Sequence, residues 1–448
     1  MFISEALGVN EAGHLTIGGA DALALAEQYG TPLYVMDEEV LRTNMRNFKA
    51  SMDSYYNGNG LVLFASKAFM CKEAARIAAE EGLGLDVVSG GELYTALQAG
   101  FPAERIYFHG NNKTLRELNE ALDAAVGHIV VDNLTELETL DRLVCERAEK
   151  AGTAGIESKN FVPGRDCRIL LRLKPGIDAH THDFVRTGQI DSKFGFAIET
   201  GEAMEAVEAA VKAAYLFLDG FHCHIGSQIF DVEPFTLAAE VLAGFMAQVK
   251  GRFGKEIDTL NLGGGFGIQY DKQDDALPYA EFMKAVSGTM RSIFEEHGLP
   301  MPYVLIEPGR SIPGPAGVTL YTVGAVKTIP NIRTYVTVDG GMGDNPRYIL
   351  YGAKYMALKA SDPLAEATQT VTIAGRYCES GDLIQEFTKL QPVVPGDILA
   401  IPATGAYNYS MASNYNRVPR PPVVMVKEGQ SRVIVRGESY EDILRNDV

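Results

Sequence analysis

The sequence predicts an α/β fold in two parts: a closed parallel (β/α)8 barrel, with a doubly wound open sheet as its alternative, followed by a mostly β domain. Two observations carry this. From Leu61 onward, short runs of β-forming residues alternate with longer Ala-, Glu- and Lys-rich stretches of helical period, as in GEAMEAVEAAVKAA ahead of LFLDGFHC. After Pro313 the rhythm changes to Val-, Thr- and Tyr-rich segments, GVTLYTVGAVKTI, TYVTVD, QTVTIAG and VVMVKEG, with turns such as VVPGD between them.

The β-runs number eight: Leu61 to Ala65, Gly84 to Val88, Arg105 to Phe108, His128 to Asp132, Arg168 to Leu173, Leu218 to His224, Asp258 to Leu262 and Tyr303 to Glu307. Eight such units suit a barrel that closes on itself, and an open sheet wound from both sides would show the same alternation. At 448 residues the chain exceeds what one growing core accommodates, so two domains are expected. The first thirty or so residues hold no complete βα unit. The barrel is therefore set at 34–312 and the β domain at 1–33 plus 313–448. GTAGIESKNFVPGRD reads as a long polar loop within the barrel region, and no internal repeat or low-complexity tract is present.

With 46% hydrophobic and 22% charged residues the composition is globular. A formal charge of −18 disfavours nucleic acid and anionic membranes, which are bound by clustered Lys and Arg. No apolar run approaches a membrane span, and MFISEALGVNEAGHL has neither a basic start nor a signal-type apolar core, so a soluble cytoplasmic protein is expected. Five scattered cysteines without CxxC spacing suggest neither a disulfide framework nor a structural zinc site.

Barrel enzymes carry their reactive groups where strands end, so the residues after each run are the candidates. Lys67 in LFASKAF follows the first run, where a desolvated amine can form a Schiff base with an aldehyde; the position also suits a lysine that snorkels to solvent. Asp86 lies near the end of the second. FHCHIGSQ places His222 and His224 two residues apart, on one face of a strand, with Ser227 in the turn beyond; metal binding and stacking on an aromatic cofactor both fit. In NLGGGFG the glycines Gly263, Gly264 and Gly265 let backbone N–H groups close on a phosphate, or simply make a tight turn. EPGR offers Glu307 to a protonated ring nitrogen and, past Gly309, Arg310 to a phosphate, unless Pro308 and Gly309 only turn the chain. In the β domain, RYCESGD and GAYNYSMASNYN set Cys378, Glu379, Asp382 and Tyr407 among turn residues, as proton donor and substrate ligands or, for the cysteine, as a small buried hydrophobe.

Taken together and in order, the motifs from FASKAF to NYN resemble the fold-type III decarboxylases that use pyridoxal 5'-phosphate, over most of the chain. THDFVRTGQIDSKFGF, FHCHIGSQ, GGGFG, EPGR, VDGGMGDNPRYILYGA, CESGD and GAYNYSMASNYN are similar to the branch that acts on meso-2,6-diaminopimelate. The resemblance implies decarboxylation of that substrate to L-lysine and carbon dioxide, the last step of lysine biosynthesis. It implies that Lys67 holds the cofactor, with Asp86 beside it and His224 stacked on its ring. Ser227, the three glycines, Gly309, Arg310 and Tyr407 would hold its phosphate region, and Glu307 its ring nitrogen. Arg310, Arg347, Tyr351 and Tyr407 would bind substrate, with Arg310, Arg347 and Tyr351 at its distal carboxylate and Glu379 at its distal ammonium. Cys378 would deliver the proton. No metal is implied. The resemblance also implies a homodimer in which Cys378 and Glu379 complete the partner's site. The chain departs from the family in reading RYILY, where a proline commonly follows the arginine, and RYCES where PICES is usual. Rival expectations are a decarboxylase of the same fold acting on ornithine, lysine or arginine, and a non-catalytic cofactor-binding homologue. A nicotinamide oxidoreductase rests on GGGFG alone.

Overall fold

Each of the eight β-rich runs folds as a parallel strand. In chain order they are Gly60–Ala65, Gly84–Val87, Ile106–Phe108, His128–Val131, Cys167–Lys174, Leu216–His222, Thr259–Asn261 and Tyr303–Ile306. This is seen in a computed structural model that describes residues 2–154, 162–163, 165–177 and 191–448. The eighth strand pairs with the first, Leu305 opposite Leu61, and the fourth with the fifth, Val130 opposite Leu170, so the sheet closes. Closure decides for the barrel over the open sheet. Most strand residues are buried, as expected of parallel strands covered on both faces. Leu63, Tyr107, Val130, Leu170 and Leu305, from five different strands, form one buried cluster.

Helices follow the strands, and their first turns are specified by the sequence. Ser89, Thr114 and Asn133 cap Gly90–Gln98, Leu115–Asp123 and Leu134–Ala151, each accepting the N–H of a glutamate three residues on. Thr114 and Glu117 make a full capping box. The C-terminal turn of Leu134–Ala151 closes on the left-handed Gly152. Residues 155–161 and 164 of the polar loop, and 178–190, which include the first ten residues of the THDFVRTGQIDSKFGF motif, lie outside the described residues.

The chain divides into two units, one comprising Met45–Gly267 and Leu277–Gly309, which is the barrel, and one comprising the residues up to Asn44, Ile268–Ala276 and Arg310 onward. In the second, a mixed sheet runs in the order Leu383–Leu390, Gln369–Ala374, Arg333–Val338, Gly317–Ile329, Leu33–Asp37, Val423–Lys427 and Gln430–Val435. All four β segments expected after Pro313 are strands in it. The expected boundary at residue 34 moves: Leu33–Asp37 pairs antiparallel with Gly317–Ile329 and parallel with Val423–Lys427, and ladder hydrogen bonds on both edges tie it to the β unit. Its LYVMD sequence, buried at every position, is a central strand of that sheet. Ile268–Ala276 likewise belongs to the β unit, as does Arg310. Among the described residues no helix is long and apolar enough to cross a membrane.

Candidate active site

At the C-terminal ends of the barrel strands the sequence places buried polar side chains where an apolar core would otherwise continue. Lys67 sits in the turn Ser66–Ala68 directly after the first strand, its side chain 41% exposed and its Nζ 3.9 Å from Oδ2 of the buried Asp86 on the second. The turn is anchored from beneath: Oε2 of Glu92 accepts both the Ser66 hydroxyl and the Val88 N–H, each at 2.7 Å. That tie fixes the Lys67 turn against the end of the second strand. Burial pushes the carboxyl groups of Asp86 and Glu92 above the usual range, and for Asp86 the neighbouring His109, Lys67 and Arg172 act in the opposite direction.

Glu307 follows the eighth strand and is the focus of the site. Its Oε1 accepts the Asn261 amide at 2.7 Å and lies 2.9 Å from Nε2 of His109, while Oε2 is 3.2 Å from Nε2 of His222. Burial alone would raise its pKa, but His109 and His222 outweigh that and hold it well below the carboxylate range. His222 itself is pushed down to about 3, chiefly by burial. It is therefore neutral and supports Glu307 by a hydrogen bond rather than an ion pair. Among the described residues, no Lys or Arg lies within 4.0 Å of this anion.

His109, His222 and Glu307 could together face a metal ion, since their ligand atoms lie within 4.8 Å of one another. A metal-ligating histidine nearly always donates its second ring N–H to an acceptor. Nδ1 of His222 is buried without a hydrogen-bond partner, which suits an imidazole that donates through Nε2 to Glu307 and leaves Nδ1 bare.

The expectation that His222 and His224 share one strand face is corrected: the sixth strand ends at His222. His224 lies in the following loop, where its Nδ1 accepts the Gly264 N–H at 3.2 Å and the ring proton is assigned to Nε2. Desolvation, with Lys67 and Arg172 nearby, keeps this imidazole neutral. Half-buried Ser227 is in the same loop. The three glycines are demanded by close packing. A Cβ at Gly264 would come 2.0 Å from the Glu307 carbonyl oxygen, and one at Gly265 2.4 Å from that of Gly226, while Gly263 adopts φ +71°. The N–H groups of Gly263 and Gly264 are engaged by Asn261 Oδ1 and His224 Nδ1, so their part is to shape the turn.

The β unit holds the second set. Arg310 is buried and donates to the Tyr270 hydroxyl, with its guanidinium 5.0 Å from the Tyr407 ring. Arg347 opens the helix Arg347–Tyr351, buried, its guanidinium 5.0 Å from the Tyr351 ring and 5.3 Å from that of Tyr407. Tyr355 and Tyr270 meet edge to face at 5.3 Å. Among the described residues no carboxylate lies within ion-pair distance of Arg347, whose electrostatic neighbours are tyrosines. Tyr407 adopts φ 67°, a conformation that side chains other than glycine rarely take.

Cys378 and Glu379 are exposed. Their loop is held by buried Asp382, whose Oδ1 accepts the Met342 N–H at 2.6 Å and Oδ2 the Tyr377 N–H at 2.7 Å. The thiol is thus presented outward on a fixed loop.

Sequence reasoning missed His109, Asn261, Arg172, Glu92, Tyr270 and Tyr355. His109 directly follows the third run, so the strand-end rule reaches it. Asn261 and Arg172 are polar residues inside β-runs.

The barrel mouth suits pyridoxal phosphate: Glu307 is an anion lacking a strong cation, as a protonated ring nitrogen requires, and Lys67 offers an accessible amine nearby on the same mouth. Residues 39–314 match the pyridoxal-binding domain of the pyridoxal-dependent decarboxylases. The chain belongs to this family. Within it, the sequence is 48% identical to diaminopimelate decarboxylase of Bacillus methanolicus, with 97% of each chain covered, and 47% identical to that of Bacillus subtilis, covering 100% of this chain and 98% of the relative. The fold is similar to the crystal structure of diaminopimelate decarboxylase from M. jannaschii in co-complex with L-lysine, at 33% identity and TM-score 0.90, covering 100% and 99% of the two chains.

Proposed function

We propose that this chain is a carboxy-lyase that uses pyridoxal 5'-phosphate to convert meso-2,6-diaminopimelate to L-lysine and carbon dioxide, the last step of lysine biosynthesis. The observation that carries the substrate choice is Arg347, a buried guanidinium among tyrosines with no carboxylate partner among the described residues. A buried cation of this kind calls for an anion, and diaminopimelate has a distal carboxylate where ornithine and lysine have none. Relatives of this name, and the lysine held by the M. jannaschii protein, support the same reading.

Bound pyridoxal phosphate supplies a conjugated sink for the electron pair left on Cα when carbon dioxide departs. Lys67 Nζ would hold the cofactor, and Asp86 would keep that amine in place. Glu307 would accept a hydrogen bond from the ring nitrogen, and the neutral His224 would support the ring. Gly263, Gly264, Gly265, Gly309, Ser227, Arg310 and Tyr407 would hold the cofactor's phosphate region. Arg310, Arg347 and Tyr351 would take the distal carboxylate, with Tyr407 also on the substrate, and Glu379 would take the distal ammonium. Cys378 Sγ gives the proton that replaces the lost carboxylate on Cα.

Exposed Cys378 and Glu379 support a homodimer in which each chain completes its partner's site. The net charge of −18 supports a protein that avoids nucleic acid and anionic membranes. The test is a product assay on cofactor-loaded protein offered meso-diaminopimelate, ornithine, lysine and arginine separately. Lysine from meso-diaminopimelate alone is expected. Putrescine or cadaverine without lysine would keep the chemistry and refute the role of Arg347.

A further inference from the structure

His109 lies one residue past the third barrel strand and is buried, and nothing in the chemistry above uses it. Its Nε2 is 2.9 Å from Oε1 of Glu307 and 3.8 Å from Oδ1 of Asp86. Neither contact has the alignment of a formed hydrogen bond, and Oδ1 of Asp86 is likewise buried without one. One ring nitrogen therefore faces two buried acids carried by different strands. The other groups around it are His222, edge-on at 4.7 Å, Arg172, which acts on both acids, and Lys67, 3.9 Å from the second oxygen of Asp86. Two buried carboxylates facing each other repel unless a donor lies between them.

We propose that His109 is a positioning residue whose Nε2–H is shared between Asp86 and Glu307, so that the charge on the Lys67 side of the cofactor and the charge at its ring nitrogen are set together. The inference rests on the cofactor reading above. When Asp86 draws more strongly on Lys67, the His109 N–H turns to Glu307; when Glu307 is fully engaged by the ring nitrogen, the N–H turns to Asp86. No covalent bond changes, and the proton stays on Nε2.

The test compares His109→Phe, which keeps a flat ring without a donor, with His109→Gln, which keeps a donor. Pyridoxal phosphate is added to each apoprotein. Its dissociation constant, the pH titration of its visible absorbance, and kcat and KM for meso-diaminopimelate are measured, with circular dichroism to establish folding. In His109→Phe the titration midpoint moves by about one pH unit and kcat falls about tenfold, the equivalent of that shift, with KM nearly unchanged. His109→Gln recovers most of both. A His109→Phe titration that superposes on the wild type, or equal shifts in the two variants, overturns the inference while the cofactor reading stands. Wild-type protein that takes up no pyridoxal phosphate overturns both. Should His109→Phe fail to fold, His109→Asn replaces it: the short amide spans the two acids less well, so a shift larger than that of His109→Gln supports the proposal and wild-type behaviour in both amides refutes it.

Discussion

Replacing Arg347 with methionine separates recognition from folding. In the free protein the guanidinium has lost its water and gains two aromatic faces, at 5.0 and 5.3 Å, each worth about 0.5–2 kcal/mol. Against this stands a desolvation penalty of several kcal/mol for a buried ion. The two are of the same size, so Arg347→Met shifts the melting temperature by a few degrees at most, in either direction. With substrate bound the balance changes, because a carboxylate loses a buried cationic partner. Truncating one member of such a pair costs about 2–5 kcal/mol, or roughly 30- to 5,000-fold in kcat/KM for meso-diaminopimelate. Differential scanning calorimetry, cofactor absorbance and steady-state kinetics on the same preparation read the three quantities together. A melting temperature lowered by more than about 5 °C with kcat/KM intact would show that Arg347 is a structural cation of the tyrosine cluster. Cofactor occupancy falling in step with activity would equally refute the division of labour.

Lys67→Ala abolishes the visible absorbance of bound cofactor, and an unchanged spectrum would assign the covalent link to another lysine. Mixing Lys67→Ala with Cys378→Ala subunits restores part of the activity, because one hybrid site carries both intact groups; verified heterodimers without recovery would exclude shared sites. Buried Asp344, which accepts the Tyr321 hydroxyl and the Gly341 N–H, is raised by burial to about 7. The folded state then binds more protons than the unfolded chain between about pH 4 and 7, so Asp344's contribution makes stability fall as pH rises through that window. Asp344→Asn flattens this part of the profile of melting temperature against pH; an unaltered slope would show that Asp344 is ionised throughout.

Much of the fold could be read from the chain because strands buried on both faces are written as continuous apolar runs, and all eight appear within a few residues of their expected limits. Closure was not readable, since it depends on the pairing of Leu61 with Leu305, and residues so far apart leave no periodic signal. The Leu33–Asp37 strand was misplaced for the same reason: its partners lie near residues 317 and 423. Within the site, residues that combine a reactive group with a turn were visible, as with Lys67, the glycines and Glu307. Those that work by holding another side chain were not. Asn261 and Glu92 look ordinary in sequence, and become important only when Glu307 and Ser66 are brought to them.

That supporting layer explains how the barrel mouth tolerates so many polar groups. Asn261 needs both faces of its amide: Nδ2 donates to Glu307, while Oδ1 accepts the Gly263 N–H. Aspartate would lack the donor and add a second charge, and leucine would leave the Glu307 oxygen and the Gly263 N–H unsatisfied. Gly264 then donates to His224, which settles the tautomer of a ring in the loop after the sixth strand, while His222 at the end of that strand supports the other Glu307 oxygen. The ends of three neighbouring strands are thereby cross-linked through side chains as well as through the sheet. An anion can remain buried here because Asn261, which donates to it, is itself held by a second bond from the Gly263 N–H, and a change at Asn261 therefore disturbs the glycine turn and the acid at once.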